Sequence, residues 1–321
     1  MHLHKSMNDS ANGMKNLSMR GDATMKGQLI LSDVDTKLLL KLYDELRYVH
    51  PVEKTHIDFA EDDFIESSSE CYAIWGNNQV CNNCISMRAL KENKVAMKFE
   101  YLNQRVYLIT AMPETKNNRV LELIRDVTDE YIIEKLETMS EVMIIQKLES
   151  LNKEVITDNL TKLYNRKFLE ERLPYDLTRA FSNQLPISIV MVDIDHFKAI
   201  NDTYGHTMGD QVLVELAAII RSSIRSEDDW AVRYGGEEFL LYVYNIDSKL
   251  LYEKMETLRK LVENNLFCKG TSDIHLTISC GLQNQYIAEE SDIQDMYKYI
   301  KKADDALYEA KKNGRNRCVI K

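Results

Sequence analysis

Two adjacent glutamates, Glu237 and Glu238, directly follow two glycines in the segment 233–239, which reads RYGGEEF. The segments on either side of the glycines, residues 230–234 and 239–244, are rich in aromatic and β-branched residues, as strands are. We predict a β-hairpin, because a tight turn needs positive φ angles that glycine adopts without steric cost. Alternate strand residues face opposite ways, so the glutamates would offer charge on both sides of the turn, beside glycines that leave room for a phosphate. Taken alone, the motif also fits an ordinary solvated acidic turn.

Asp193 is another carboxylate whose position indicates metal chemistry. It ends a short apolar run, residues 186–192, of the kind that central, fully buried strands show. If the hairpin is the neighbouring strand, Asp193 and Glu237 come together at an accessible edge of the sheet. Two hard oxygen ligands suit Mg²⁺ bridging to phosphate, and a pair of such ions can stabilise both the attacking and the leaving oxygen of an in-line displacement. The alternative for Asp193 alone is a turn-forming or helix-capping aspartate.

The composition of the chain excludes several classes of function. At 321 residues the chain is long enough for two domains, and a formal net charge of -10 lacks the basic footprint of a protein that binds a nucleic-acid polymer. No run approaches the roughly 18 apolar residues of a membrane span, and the N-terminus has no signal-peptide core. Six cysteines are too sparse for a disulfide scaffold at this length. We therefore expect a cytoplasmic protein.

The N-terminal part of the chain divides into a tail and a small α+β unit. Residues 1–28 are polar and lack periodicity, which predicts a disordered tail. Apolar residues at helical spacing predict a helix over residues 36–46. Within the unit, residues 29–128, the predicted strands are 95–101, 105–111 and 119–127. Antiparallel strands that end in Asp-Val-Thr-Asp and lead into a long helix resemble a PAS-type sensor domain, which implies a role in sensing a signal.

Residues 129–157 predict a helical linker between two domains. The segment contains no proline or glycine and is dense in Glu, Lys, Leu, Ile and Met. Its apolar residues keep coiled-coil spacing with one interruption near residues 144–146: they are Ile132, Leu136, Met139, Met143, Leu148, Leu151 and Val155. The two interpretations are an inter-chain coiled coil with one stutter and a single amphipathic helix that docks on its own domain. We favour the coiled coil, because the apolar stripe is narrow and the segment joins two domains.

Five phrases of the C-terminal half, in this order, resemble the GGDEF family of diguanylate cyclases. They are DNLTKLYNR at 158–166, DIDHFKAIND at 193–202, GHTMGD at 205–210, RYGGEEF at 233–239 and KADDALYEAKKNGRN at 302–316. The resemblance covers residues 158–321. It implies an α+β domain, akin to the palm domains of polymerases, in which flanking helices cover an antiparallel-rich sheet.

The resemblance also implies an activity, a cofactor and a set of site residues. Two GTP molecules would be condensed to cyclic di-GMP, with release of two pyrophosphates, where two domains of a homodimer face each other. Two Mg²⁺ ions per active site would be bound by Asp193, Glu237 and the Ile194 carbonyl. Glu237 is the implied base for the ribose 3′-hydroxyl, and Glu238 the implied assistant for metal or substrate. The remaining implied residues contact GTP: Asn201 and Asp210 at the guanine edge, His206 at the substrate, and Lys198, Lys311 and Arg315 at the phosphates.

Two classes of function fit this C-terminal half. One is a diguanylate cyclase gated by the N-terminal sensor and paired through the linker helix. The other is a catalytically inactive GTP-binding scaffold with the same fold. Inactive relatives usually lose the hairpin carboxylates or the metal-binding aspartate, whereas Asp193, Glu237 and Glu238 are all present here. We therefore favour the enzyme.

The chain departs from the family pattern just before the hairpin. Many members carry an inhibitory product site, Arg-x-x-Asp, whose aspartate would fall at Asp229 and whose arginine would fall at Ser226. Arg225 and Asp228 have the right internal spacing but lie one residue too early. Either a one-residue bulge restores the site or the site is lost.

Three cysteines of the N-terminal half predict a metal or redox site. Cys81 and Cys84 form a Cys-x-x-Cys pair, and Cys71 is a third candidate ligand. With His56 or His50 as the fourth ligand, the set would suit Zn²⁺. The alternatives are an iron–sulfur or haem centre, a reversible disulfide, or cysteines that merely pack. The remaining cysteines are expected to be inert core residues: Cys268, Cys280 and Cys318.

Overall fold

The computed structural model describes Thr36 and residues 38–60, 63–76, 79–128, 141–225, 228–293 and 295–321. Before residue 42, the Leu40 N–H donates to the Thr36 carbonyl at 3.0 Å, as in one helical turn. The predicted tail, residues 1–28, lies outside the described residues.

The predicted helix over residues 36–46 is wrong at its C-terminal end, because strand β1 (Glu45–His50) begins there. Neighbouring strands pair with β1 on both of its edges. This pairing satisfies the backbone of β1 and overrides the helical spacing of the local sequence.

An antiparallel sheet of six strands forms the core of the N-terminal half. Its strands, in spatial order, are β3 (Asp63–Glu66), β2 (Thr55–Ala60), β1, β6 (Arg119–Asp126), β5 (Arg105–Glu114) and β4 (Ala96–Leu102). The β4–β5 hairpin turns at Asn103 and Gln104, whose φ angles of 50° and 64° suit a two-residue turn. Helix α1 (Ile85–Glu92) packs against this sheet. The strands predicted near residues 95–101, 105–111 and 119–127 are confirmed, whereas the PAS-type resemblance stays a prediction.

The C-terminal half is built around a five-stranded sheet. Its spatial order is β11 (Cys318–Ile320), β10 (Ile278–Gln285), β7 (Ile187–Ile194), β9 (Glu238–Tyr244) and β8 (Trp230–Gly235), antiparallel except for the β10–β11 pair. The helices that follow α1 are α2 (Glu141–Ile156), α3 (Arg166–Ser182), α4 (Phe197–Tyr204), α5 (His206–Ser223), α6 (Ser248–Glu263) and α7 (Tyr297–Lys312). All eight residues of β7 are buried, which confirms the predicted central strand and the α+β class.

Helices cover both faces of this sheet. Apolar side chains of α4, α5 and α6 pack on one face, and those of α3 and α7 pack on the other. β7 runs antiparallel to β9, so the carboxyl end of β7 lies beside the amino end of β9. The residues predicted to do chemistry are therefore held at one edge of a sheet that is rigid because it is packed on both sides.

The linker helix α2 covers the C-terminal part of the predicted linker. Residues 129–140, the N-terminal part, lie outside the described residues. Ile144 and Leu148 pack with Val106 and Val127 of the N-terminal half. On the same helix, Met143, Leu151 and Val155 are exposed. Part of the apolar stripe thus docks on its own domain, as in the single-helix interpretation. The inter-chain coiled coil stays a prediction.

The N-terminal sheet domain and the C-terminal half meet through polar side chains of α1, α2 and α3. Arg88 Nε on α1 lies 2.7 Å from Glu171 Oε1 on α3, and both side chains are buried. Asn83 accepts a hydrogen bond from Arg88 and donates one of 2.9 Å to Asn152 Oδ1 on α2. Burial raises the pKa of Glu171, and the Arg88 guanidinium opposes this effect. A displacement of the loop before α1 would therefore reach both the linker helix and α3.

Among the described helices, none combines the length and the apolar character required to cross a bilayer.

Candidate active site at the β8–β9 hairpin

The β8–β9 hairpin is present, and its turn falls one residue later than the two glycines suggest. Gly235 pairs with Glu238 across the ladder, so Gly236 and Glu237 are the two residues of the turn. Gly236 has a φ of 46°, the left-handed region that glycine adopts without strain. Arg233 Nε donates to the Gly236 carbonyl at 2.9 Å, and Arg233 Nη1 lies 3.3 Å from Asp158. The turn therefore holds Glu237 at its tip, while Glu238 begins the next strand.

Asp193 faces Glu238 across the β7–β9 ladder. The sequence predicted that Asp193 and Glu237 meet, and the register instead makes Glu238 the direct partner, with Glu237 next to it. Burial raises the pKa of Asp193, and the negative charges of Glu237 and Asp195 add to this effect. Burial also raises the pKa of Glu238, and the negative charge of Asp193 raises it further. These carboxylates repel one another, and a bound cation would relieve that repulsion.

Lys311 is the cation nearest to this carboxylate group. Its Nζ lies 2.8 Å from Asp193 Oδ2, and its ammonium counteracts the rise in the pKa of Asp193. Lys311 belongs to the last turn of α7, which packs against β7 and β10. A metal ion that binds Asp193 would therefore compete with Lys311 for the same carboxylate.

A cavity of about 420 Å³ lies beside the hairpin turn. It brings together side chains from α4, α5 and the turn, which the sequence places up to 40 positions apart, from Phe197 to Glu237. The predicted site residues that line it are Lys198, Asn201, His206, Asp210 and Glu237. Carboxylate, amide, imidazole and ammonium groups thus share one concave surface, which suits a polar ligand that carries both a hydrogen-bonding edge and negative charge.

Gly209 in α5 allows Asn201 to occupy its place in the cavity. A Cβ atom on Gly209 would lie only 2.0 Å from Asn201 Oδ1 and 3.3 Å from the Phe197 ring. Such a contact cannot exist, so any side chain at this position would displace the Asn201 amide. Gly209, the second glycine of the GHTMGD phrase, therefore has a packing role, which was not identified from the sequence.

Two further predicted site residues do not line this cavity. Ile194 is the last residue of β7, where its backbone lies beside Asp193. Arg315 lies in the turn after α7 with a φ of 62°. The predicted contacts of Ile194 with a metal and of Arg315 with phosphate stay predictions.

Asp195 is a buried residue near the site whose role was not identified from the sequence. Its two oxygens accept hydrogen bonds from Ser279 Oγ at 2.6 Å, from Thr277 Oγ1 at 2.7 Å and from the Asn316 N–H at 3.0 Å. Asp195 therefore ties β10 and the turn after α7 to the end of β7. The second aspartate of the DIDHFK phrase was the available signal.

The segment of the predicted product site forms ion pairs other than Arg225 with Asp228. Arg225 Nη2 lies 2.8 Å from Asp229 Oδ1, and its guanidinium also donates to the Tyr244 carbonyl. Asp228 Oδ1 lies 2.8 Å from Arg179 Nη1. Arg225 and Asp228 thus pair with other residues and not with each other, and the product site stays a prediction. Residues 226 and 227, where a bulge would lie, fall outside the described residues.

The candidate sensor cysteines Cys71, Cys81 and Cys84 have free thiols. Among the described residues, no group of three or more His, Cys, Asp or Glu side chains is arranged to hold a metal ion. The four-ligand zinc set with His56 or His50 is therefore not assembled. His56 Nε2 instead lies 3.3 Å from Asp58 Oδ2.

A second cavity, of about 400 Å³, lies against α4 and residues 274–277. Its lining includes His196, Tyr204 and His275, and it contains neither the glycine turn nor the hairpin glutamates. The chemistry is therefore assigned to the cavity beside the hairpin.

Comparison with known proteins places the similarity in the C-terminal half. Residues 155–317, just over half of the chain, match the family model "Diguanylate cyclase, GGDEF domain". The chain is 40% identical over 159 residues to diguanylate cyclase A of Treponema denticola, which is 50% of this chain and 41% of that protein. It is 37% identical over 163 residues to a diguanylate cyclase of Vibrio cholerae, which is 51% of this chain and 49% of that protein. The chain thus spans less than half the length of these relatives.

Solved structures agree with this placement. The coiled coil and GGDEF domain of DgcB from Caulobacter crescentus, in complex with c-di-GMP, aligns with a TM-score of 0.51 at 29% identity, over 59% of this chain and 97% of that one. The diguanylate cyclase SiaD of Pseudomonas aeruginosa, in complex with its activator SiaC, aligns with a TM-score of 0.50 at 33% identity, over 59% of this chain and 70% of that one.

Proposed function

This chain belongs to the GGDEF family of diguanylate cyclases, and we propose that it condenses two GTP molecules into cyclic di-GMP with release of two pyrophosphates. The observation that carries the proposal is the group of carboxylates formed by Asp193, Glu237 and Glu238, of which Glu237 also lines a polar cavity. Neither a structural hairpin nor a solvated turn requires two carboxyl groups, Asp193 and Glu238, whose pKa values are raised by burial and further raised by neighbouring negative charge.

The carboxylates fit Mg²⁺. Asp193 and Glu237 are hard oxygen donors in a site that is electrostatically unfavourable without a cation, and the Ile194 carbonyl would complete the set. When bound, two Mg²⁺ ions would neutralise phosphate charge and stabilise the attacking and leaving oxygens.

The remaining groups of the cavity divide the recognition of GTP between them. The amide of Asn201 and the carboxylate of Asp210 complement the mixed donors and acceptors of the guanine edge. Lys198, Lys311 and Arg315 supply positive charge for the phosphates, and His206 contacts the substrate. Glu237 accepts the proton of the ribose 3′-hydroxyl as that oxygen forms a bond to the α-phosphorus of the other GTP, from which pyrophosphate leaves.

A homodimer follows from this chemistry. One site presents one 3′-hydroxyl, so the α-phosphate that it attacks must be held by a second copy of the domain. The linker helix raises the effective concentration of the two domains, and its exposed residues Met143, Leu151 and Val155 suit an apolar contact with a second chain. The N-terminal half would gate the reaction through the Arg88–Glu171 and Asn83–Asn152 contacts.

The test is to incubate the purified chain with GTP and Mg²⁺ and to quantify both products by anion-exchange chromatography. We expect two pyrophosphates for each cyclic di-GMP. Glu237→Gln removes a metal ligand and the base, and should lower turnover by about 1,000-fold or more, equivalent to ~4 kcal/mol. GTP binding without product in the unmodified chain would instead support the inactive scaffold, and a Glu237→Gln enzyme within about tenfold of the unmodified rate would refute the assigned site.

A further inference from the structure

Lys54 is a buried cation whose charge no described carboxylate balances. It lies between β1 and β2 and is only 3% exposed. The other buried cations of the N-terminal half each have a carboxylate partner: Arg47 with Glu122, Arg88 with Glu171, Lys98 with Glu100 and Arg119 with Glu114. Within the described part of the chain, no Asp or Glu lies within ion-pair distance of Lys54. A buried ammonium is costly unless a neighbour supplies negative charge, so the surroundings of Lys54 identify that neighbour.

The side-chain ammonium of Lys54 donates to a thiol. Lys54 Nζ lies 3.9 Å from Cys84 Sγ, and it lies 5.1 Å from the centre of the Tyr175 ring on α3. Cys84 is the N-cap residue of α1, where the unpaired N–H groups of the first helical turn favour negative charge. An adjacent ammonium and a helix N-terminus are the two environments that stabilise a thiolate. The position of Cys84 therefore combines the two features that favour reaction of a thiol as a nucleophile.

A second thiol lies beside this pair. Burial raises the pKa of Cys81, the Lys98 ammonium opposes this effect, and the neighbouring Cys84 adds to it. Cys81 and Cys84 therefore interact electrostatically as well as being three positions apart. Burial raises the pKa of Cys71 to about 12 although the Lys54 ammonium opposes this effect, so Cys71 serves as a buried thiol for comparison.

We propose that Cys84 and Cys81 form an oxidant-modified site, in which Cys84 reacts with a hydroperoxide and Cys81 closes a disulfide. The Cys84 sulfur attacks one peroxide oxygen, a sulfur–oxygen bond forms and the oxygen–oxygen bond breaks. The leaving alkoxide takes the proton of Lys54 and departs as an alcohol, or as water when the oxidant is hydrogen peroxide. The Cys81 sulfur then attacks the sulfenic sulfur, the disulfide forms, and hydroxide departs with the Cys81 proton as water. Two thiols are oxidised and one hydroperoxide is reduced.

The disulfide would constrain residues 81–84, the segment that contacts the linker helix α2. Asn83 lies between the two cysteines and bonds both Arg88 on α1 and Asn152 on the linker helix. The modification is therefore placed at the contact between the two halves. The thiol chemistry itself does not depend on the cyclase activity.

The experiment uses the full chain in reduced form, treated with one equivalent of hydrogen peroxide, and identifies the products by alkylation and peptide mass spectrometry. We expect a disulfide between Cys81 and Cys84, with Cys71 recovered as a free thiol. Without peroxide, iodoacetamide should alkylate Cys84 at least about tenfold faster than Cys71, because the thiolate is the nucleophile. A disulfide that involves Cys71, or equal alkylation rates for Cys71 and Cys84, would overturn the proposal.

Two variants isolate the role of Lys54. Lys54→Met removes the charge and should slow alkylation of Cys84 by about tenfold, whereas Lys54→Arg keeps the charge and should restore most of the rate. If both variants react like the unmodified chain, Lys54 does not activate Cys84 and the assignment is wrong. If Lys54→Met does not fold, the alkylation rates of Cys84 and Cys71 in the unmodified chain still test the proposal, because equal rates contradict it.

Discussion

Asp193 and Glu238 lie opposite each other on β7 and β9, so that two neighbouring strands each hold one carboxylate at the same edge of the sheet. Glu237 lies in the turn beside them, and Lys311 pairs with Asp193 from α7. The raised pKa of Asp193 and that of Glu238 show that burial and mutual repulsion disfavour their charged forms. These carboxylates therefore lower the stability of the metal-free fold and at the same time provide ligands for a cation.

Asp193→Asn should make the metal-free fold more stable while abolishing turnover. A carboxyl group whose pKa is raised on folding destabilises the fold above that pKa, and the penalty disappears as the pH falls through the raised pKa. The amide removes this penalty at neutral pH. Thermal unfolding in the presence of a metal chelator should therefore give a higher Tm for Asp193→Asn at neutral pH, and a smaller difference as the pH is lowered toward 4. A lower Tm at neutral pH would mean that the Lys311 ion pair outweighs burial.

Gly209→Ala should weaken GTP recognition without disturbing the carboxylates. The new Cβ atom would lie 2.0 Å from Asn201 Oδ1 and must displace that amide, whereas alanine is a better helix former than glycine. Loss of one hydrogen bond to the base should raise the KM for GTP by about tenfold, with a smaller change in kcat. Steady-state kinetics of Gly209→Ala, Asn201→Ala and the double variant measure this. If the two effects add fully, Gly209 does not act through Asn201.

Cyclic di-GMP should inhibit the enzyme weakly or not at all. The Arg225 guanidinium is already bound to Asp229 and to the Tyr244 carbonyl, and Asp228 is paired with Arg179. Arg225→Ala should leave the dependence of the initial rate on added product unchanged. It should lower the free energy of unfolding by only about 1 kcal/mol, because the guanidinium is half exposed and Asp229 keeps Lys254 as a partner. Tight inhibition that disappears in Arg225→Ala would show that the segment does form a product site.

The Arg88–Glu171 pair should behave as a buried ion pair that holds the two halves of the chain together. Arg88→Met leaves Glu171 buried without its counter-charge and should cost about 3–5 kcal/mol in the free energy of unfolding. The double variant Arg88→Met, Glu171→Leu removes both charges and should recover much of that loss. Urea denaturation of the three proteins tests this. A double variant as unstable as Arg88→Met would contradict the explanation by an uncompensated charge.

Insertions in the linker helix should show whether the helix only tethers the two halves or whether its heptad phase sets the cyclase rate. Ile144 and Leu148 anchor α2 on the N-terminal half, so residues added after Ile144 rotate the chain that follows. Seven residues restore the heptad phase and should retain the basal rate, whereas four change the phase and should alter it. Cyclic di-GMP formation by the two insertion variants and by the unmodified chain measures the effect. Identical rates in all three proteins would show that the linker is only a tether.

Local sequence was sufficient to predict the elements whose residues agree with their surroundings. The apolar run that became β7 and the Gly-Gly hairpin were both predictable, because the apolar pattern and the turn chemistry indicate the same structure as the packing. The helix predicted over residues 36–46 failed where strand pairing on both edges of β1 outweighed local spacing. The family resemblance named a set of substrate and metal residues, and the structure brings five of them to the surface of one cavity: Lys198, Asn201, His206, Asp210 and Glu237.

Only the tertiary structure decided which of these residues meet. Strand register makes Glu238 rather than Glu237 the partner of Asp193, since a shift of one residue changes every cross-strand pair. Long-range packing brings Lys311 to Asp193 and Lys54 to Cys84, and no local spacing encodes either contact. The sequence by itself determined the chemical groups and the strands and helices that carry them. Their pairing depends on distances between elements far apart in the chain, which are set when the sheets and helices pack together.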